Sequence, residues 1–245
     1  MDNALLVSLS QQMAAYRSME VIANNLANLS TPAFKREEAK FEQFVQQVQP
    51  SEGESGPQTV SFVKDTGVSR DLSEGRLEST GDPFDLAING KGYFVVQTAA
   101  GNSYTRNGHL TLNGDGELVT DSGDPVLGDG GPLTITADDG NVHIAADGTV
   151  SGLRGEIGKL QLVDFADDTT LQKDGSSLYS TGQTPNATTG GTIEQGMLED
   201  SNVEPVIEIS HMIDVMRAYQ ATASLTQSQE DLKRQAIDKL GSIPS

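Results

Sequence analysis

The stretch 5-LLVSLSQQMAAYRSMEVIANNLANL-29 decides how the chain is read. Leu5, Leu9, Gln12, Tyr16, Met19, Ala23 and Leu26 follow one another at spacings of 4, 3, 4, 3, 4 and 3, with Met13, Ile22 and Leu29 in a neighbouring row. A stripe at that spacing is one face of an α-helix, close to a heptad seam. No Gly or Pro interrupts it before Pro32, and the residue ahead of a proline avoids the helical region, so the helix stops near Ser30-Thr31. Asn24, Asn25 and Asn28 crowd its last turns. Their amides serve helix-end hydrogen bonding or polar contact with another subunit. Further on, Phe41, Phe44, Val45 and Val48 predict a second, short helix over residues 35–48.

The other end of the chain mirrors the first. Ile209, Met212, Met216, Tyr219, Ala223, Thr226, Glu230, Lys233, Ile237 and Leu240 alternate spacings of 3 and 4, with Ile213 beside the row. Ser201 and Glu204 resemble a capping box, Pro205 falls in the first turn, and Gly241 and Pro244 stop the helix. Between the ends the period changes to two. The segment 85-DLAINGKGYFVVQT-98 predicts a hairpin turning at Asn89–Gly92, and 109-HLTLNGDGELVT-120 predicts another turning at Asn113–Gly116. Further strands are expected near 133–136, 142–145 and 157–165, and the polar runs at 50–59 and 175–192 read as linkers.

Composition narrows the function. The 245 residues carry 16 Lys plus Arg against 35 Asp plus Glu, a formal net charge of -19. Nucleic acid is excluded as a partner, because phosphate binding needs a basic surface, and an anionic membrane is disfavoured for the same reason. No apolar run approaches the ~18 residues that span a bilayer, so no membrane insertion is expected. The opening residues lack the basic region of a cleaved secretory signal. Absence of Cys removes disulfides, thiolate zinc sites and a cysteine nucleophile.

Catalytic, cofactor and metal assignments are all none. The three histidines, His109, His143 and His211, share no metal-ligand spacing, and no Ser lies in a nucleophile-elbow context. The run from Asn113 through Asp115 to Glu117 resembles the opening of a calcium loop, but Leu118 stands where that loop needs Gly. A hairpin turn is the simpler reading. The pairs Asp138-Asp139 and Asp167-Asp168 read as solvated loop charge.

The two terminal stripes are either an intramolecular helix pair packed on the β body or seams that pair with other subunits. Helices this long on a lean β domain leave much of their length uncovered, and such ends order on association. A contact of that kind that does not close on itself builds a helical filament. An assembly subunit is therefore favoured over an enzyme.

Three blocks then resemble a known family, the axial proteins of the bacterial flagellum and in particular its basal-body rod proteins. The first is 21-VIANNLAN-28 running on through 31-TPAFK-35. The second runs from 74-EGRL-77 through Gly90–Phe94 to 104-YTRNG-108 and 124-DPVLG-128. The third is 195-QGMLE-199 with Ser201-Asn202-Val203, Met212-Ile213 and 217-RAYQ-220. The opening residues and the size are most similar to the F-type branch of the proximal rod, and the G-type branch of the distal rod is the nearest rival. Two positions depart: the family usually has Gly where Ala33 stands and often an aromatic where His109 stands.

The resemblance implies an α+β fold, with long N- and C-terminal helices pairing as a coiled coil and a central all-β domain, sandwich- or barrel-like. The expected domains are 1–48 with 196–245 as the helical part, 49–80 as an extended linker and 81–195 as the β domain. It implies a structural subunit of the tubular drive shaft, with other rod subunits, identical and different, as partners. It also implies export through the flagellar type III apparatus without a cleaved signal. The interface residues expected are Leu5, Leu9, Tyr16, Met19, Ile22, Asn24, Asn25, Leu26 and Asn28 on the first helix, and Ile209, Met212, Ile213, Met216 and Tyr219 on the last. The competing class is a secreted β-rich, calcium-dependent binding protein.

Overall fold

The computed structural model describes residues 2–48, 58–175, 177–188 and 190–241. Helix α1 (Asp2–Ala27) opens the chain and helix α2 (Pro205–Gly241) follows the last strand. Strands β1 (Glu37–Val48) and β2 (Gln58–Arg70) come after α1, and short antiparallel strands fill most of the rest. The chain forms two units. The helical unit holds Met1–Ala27, Glu37–Asp71 and Glu204–Ser245; the β unit holds Asn28–Arg36 and Leu72–Val203.

In the helical unit, β1 stands where a short helix was expected over 35–48. It pairs residue for residue with β2, from Glu37 opposite Arg70 to Val48 opposite Gln58, with a bulge at Lys40/Phe41. Phe41, Phe44, Val45 and Val48 fit a helical period in isolation. The long-range ladder with Val60, Phe62 and Val63 overrides it, as tertiary pairing does for residues of strong β preference. Much of the expected 49–80 linker is thus strand β2, while residues 49–57 lie outside the described ones.

Helices α1 and α2 run antiparallel. Asn25 meets Glu208 at one end of their contact, and Ser8 meets Thr226 at the other. The hairpin lies along α1: Asn25 bonds the backbone of Glu37, and Ser10 accepts from the Val63 N–H, which sits opposite Gln43. Fifteen helical residues and six strand residues both span roughly 20 Å, so the two elements keep step. Ser201 is not the α2 cap. Its hydroxyl accepts from Val203, whereas the first helical bond runs from the Glu208 N–H to the Glu204 carbonyl, with Pro205 at the first helical position.

In the β unit a six-stranded antiparallel sheet has the order Gln172–Lys173, Leu178–Ser180, Gly101–Thr105, Tyr93–Thr98, Leu162–Asp164, Asn186–Ala187. Its central strand is apolar on both faces. Phe94 and Val96 join one core with Leu86, Ile88, Leu110 and Leu118. Tyr93 and Val95 join a second with Tyr104, Phe165 and Tyr179. Alternation across the pleat makes this possible and explains the unbroken run Tyr93–Val96. Tyr104 and Phe165 meet edge to face with centroids 4.7 Å apart.

The 109–120 hairpin forms as expected, Leu110–Leu112 pairing with Leu118–Thr120. The 85–98 hairpin does not. Leu86–Asn89 pairs instead with Thr192–Gln195, and Tyr93–Thr98 pairs with Gly101–Thr105 and Leu162–Asp164. Gly90 turns the chain away at φ +95, where a Cβ would sit 2.4 Å from the Gly190 carbonyl oxygen. The supposed linker at 175–192 contributes two strands to the large sheet, Leu178–Ser180 and Asn186–Ala187. Asp139 is buried rather than solvated, held by the Thr136 N–H and hydroxyl and by Arg154.

Candidate assembly surface

The helix pair buries polar groups as well as apolar ones. Asn25 is fully buried and acts on three sides: its amide nitrogen donates to the Glu37 carbonyl and to Glu208 Oε2, and its oxygen accepts from the Glu37 N–H. Glu208 is also fully buried. About five turns further along α2, at the opposite end of the contact, Thr226 donates to Ser8 and accepts from Gln12. Among the described residues of α1, Val21 and Ile22 are the buried apolar ones.

The outer faces are apolar. Leu6, Leu9, Met13 and Tyr16 lie at spacings of 3, 4 and 3 on α1 and are all exposed, Tyr16 at 59%. On α2, Val206, Ile207, Ile209, Ile213, Met216, Leu225, Leu232 and Ile237 are exposed. Beside α1 runs a groove of about 500 Å³ walled by Leu9, Met13, Tyr16, Phe41, Val63 and Tyr219, with Arg17, Glu20 and Asp65 at its rim. Arg17 bridges Glu20 and Asp65, each at 3.3 Å.

The expected interface residues therefore fall into three groups. Asn25 and Ile22 are buried within the helical unit. Leu5, Met19, Leu26, Met212 and Tyr219 are half-buried. Leu9, Tyr16, Asn24, Ile209, Ile213 and Met216 are exposed. Asn28 belongs to the β unit, where its carbonyl and side-chain oxygens receive the Thr31 N–H and hydroxyl.

A second arrangement ties the motif blocks together inside the β unit. Glu199 is buried and receives Lys35 Nζ at 2.6 Å on one oxygen and Arg106 Nε at 3.0 Å on the other. The Gly75 N–H adds a third donor at 2.9 Å. The rest of the Arg106 fork is spent on the carbonyls of Ile88, Gly90 and Gly92, and Lys35 also reaches the Ser73 carbonyl. Burial pushes the Lys35 ammonium below its ordinary value, opposed by Glu199. Burial alone raises the Glu199 carboxyl, but Arg106 and Lys35 outweigh it and hold it below the usual carboxylate range. Asn202 clamps the same neighbourhood, accepting from the Arg36 N–H at 2.7 Å and donating to Ser73.

Ala33 sits there at φ +56, buried, with its N–H on the Glu199 carbonyl. This is the left-handed conformation that a Gly adopts without strain. Lys35, Arg106, Glu199 and Glu208 are buried charged residues that interface reasoning passed over. Three of the four, Lys35, Arg106 and Glu199, were already present in the motif blocks. His109 also has a structural role, since Nδ1 lies 2.7 Å from Asp85, whose hydrogen bond raises the imidazole pKa, with Asp121 at 3.7 Å adding to it. In the 113–117 turn, Asn113 Oδ1 is spent on the N–H groups of Asp115 and Glu117, so the loop's oxygens build a hairpin.

An α+β chain that leaves so many large apolar side chains exposed on its paired helices has the features of a structural subunit. Comparison with known proteins places it within that class. Three family models match: "Flagella basal body rod protein" over 5–35, "Flagellar hook protein FlgE/F/G D1 domain" over 87–152, and "Flagellar basal body rod FlgEFG protein C-terminal" over 194–239. The flagellar basal-body rod protein FlgF of Caulobacter vibrioides is 44% identical over 99% of this chain and 100% of its own. FlgF of Mesorhizobium japonicum is 35% identical over 99% of both chains, and the rod protein FlgG of Bacillus subtilis is 31% identical over 90% of this chain and 92% of its own. The chain belongs to the flagellar basal-body rod protein family, on its F-type branch. No helix among the described residues is long and apolar enough to cross a membrane.

Proposed function

We propose that the chain is an F-type structural subunit of the proximal rod, polymerising with other rod subunits into the tubular shaft that carries torque towards the hook. The observation that carries this reading is the number of large apolar side chains left exposed on both helices, beside a buried Asn25–Glu208 contact. Exposing so many aligned Leu, Ile, Met and Tyr residues on two long helices is costly in water and marks a surface that is covered in use. Leu9, Tyr16, Ile209, Ile213 and Met216 are the residues that neighbouring subunits cover, completing the coiled-coil seams. Asn24 adds polar contact where those helices crowd.

The neighbours are copies of this chain and other rod proteins, and the route to the rod is the flagellar export apparatus. That route carries unfolded chains. The strongly negative net charge delays association before export through mutual repulsion. No cofactor, metal or catalytic group takes part. The shaft works by transmitting load through packed helices.

Deleting the gene and viewing cells by electron microscopy tests this reading. Loss of both hooks and swimming is the expected result. Swimming cells with normal hooks would overturn it and bring forward the calcium-binding reading, which a rise in melting temperature with micromolar calcium would then support.

A further inference from the structure

In the β unit the last residues of the sequence complete what the first ones begin. Strands Leu77–Ser79 and Leu86–Asn89 each form a two-stranded sheet, and their partners, Met197–Glu199 and Thr192–Gln195, come more than a hundred residues later. The segment 28–36 depends on the same late stretch. The Ala33 N–H donates to the Glu199 carbonyl, and the Phe34 carbonyl accepts from the Asn202 N–H. Ile193, 2% exposed, belongs to the core that holds Leu86 and Ile88.

The buried cations follow the same pattern. Lys35 and Arg106 stand 164 and 93 residues before Glu199 in the chain. Arg106 spends its other donors on the carbonyls of Ile88, Gly90 and Gly92. The stretch 86–92 therefore cannot take its place without burying a guanidinium whose carboxylate partner is made later. Some pieces close locally: Tyr93–Thr98 pairs with Gly101–Thr105, and Leu110–Leu112 with Leu118–Thr120. Closing the whole unit is different. Long loops must be ordered before their contacts form, and two cations left in an apolar interior without a counter-charge are strongly disfavoured.

We propose that docking of residues 192–203, with Glu199 entering between Lys35 and Arg106, is the gate through which the β unit folds. Every route to the closed unit has to neutralise the two cations, and the group that does so belongs to the last strand to be made. A chain synthesised from its N-terminus thus keeps its β unit open until residue 203 is free. The inference concerns the folding of one chain and stands apart from the rod reading. It adds to the proposed export route a reason, within the sequence, for the β unit to close late.

Folding kinetics of the full-length chain test the gate. Of the five tyrosines, Tyr93, Tyr104 and Tyr179 lie in the second β core, and Trp is absent. In a Tyr16→Phe/Tyr219→Phe background, tyrosine fluorescence then reports the β unit alone. Refolding and unfolding rates are measured by denaturant jumps. A contact already made in the rate-limiting state alters the refolding rate and spares the unfolding rate. Glu199→Gln is therefore expected to slow refolding about tenfold or more, with unfolding changed less than about twofold. Should that variant fail to fold, Ile193→Val trims one carbon from the docking segment and should slow refolding about threefold, again sparing unfolding. Unfolding accelerated by as much as refolding is slowed, or by more, would overturn the proposal. The unit would then close without residues 192–203, and Glu199 would only lock it afterwards. Neither result bears on whether the chain builds rods.

Discussion

The two units of this protein handle the same ingredients in opposite ways. In the β unit, Leu, Ile, Val and aromatic side chains fill two cores on either face of one sheet, and three of the buried charges, Glu199, Lys35 and Arg106, pair with one another. In the helical unit, Asn25 with Glu208 and Ser8 with Thr226 bond across α1 and α2 beside the buried Val21 and Ile22, while Leu9, Tyr16, Ile213 and Met216 are exposed. A domain that must stand alone buries its apolar surface. One that is completed by neighbours keeps that surface available. On the proposed reading, the contrast separates the part of the chain that folds for itself from the part that neighbours complete.

The largest effect expected is in the β unit. Glu199→Ala leaves Lys35 and Arg106 buried without their counter-charge, and breaking such a pair costs about 3–5 kcal/mol. Thermal unfolding followed by near-ultraviolet circular dichroism should show the loss in the Tyr and Phe signals of that unit; an unchanged melting curve would mean the cluster is not what holds it. The Glu199 carboxyl lies below its ordinary 4.5, so its contribution holds above that pH and is lost as acid titrates the folded carboxylate. The wild-type chain should therefore lose stability on acidification more steeply than a Glu199→Gln variant.

Asn25→Ala is the corresponding cut in the helical unit. It removes the three hydrogen bonds of the amide to Glu208 and to the Glu37 backbone, at a cost of about 1–3 kcal/mol. Amide hydrogen exchange should rise along α1 and the adjoining end of β1, and protection as strong as wild type would show that these bonds do not hold the unit together. Ala33→Gly works in the other direction. Relieving a left-handed alanine should stabilise the β unit by about 1 kcal/mol, measurable as a higher denaturant midpoint. A lower midpoint would show that the Ala33 methyl packs more favourably than its backbone is strained.

The smallest effect concerns His109. Its folded pKa is raised by Asp85, so the pair stabilises fully below the ordinary 6.5 and the contribution fades as pH rises through the folded value. Because the ring is partly exposed, the change is modest, on the order of 1–2 °C in melting temperature between pH 6 and 8. His109→Phe should abolish that slope.

The helices were legible because a repeating 3–4 spacing is a local signal: α1 and α2 can be read directly from Leu5–Leu26 and Ile209–Leu240. The 109–120 hairpin was legible for the same reason, its turn lying within the segment. What escaped was non-local. Phe41, Phe44 and Val45 fit a helix until Val60–Val63 pair with them across residues 49–57, and Leu86–Asn89 finds its partner more than a hundred residues away at Thr192–Gln195. The expected seam residues other than Asn28 lie on α1 and α2, but no spacing rule could tell that Asn25 is buried and Tyr16 exposed. Which face a two-sided helix buries depends on the partner, and here a carboxylate on α2 and a strand backbone claimed the Asn25 side.

The claim on which the account turns is that the outward apolar faces serve assembly and not the folding of the subunit. Leu9→Asp and Ile213→Asp, made in the full chain, test it most directly when purified-protein melting and the hook count of the producing cells are measured together. Both side chains are exposed, so the melting temperature should stay within about 2 °C of wild type, as for surface substitutions generally, while hooks and swimming disappear. Stable variants that build normal hooks and swim would contradict the account.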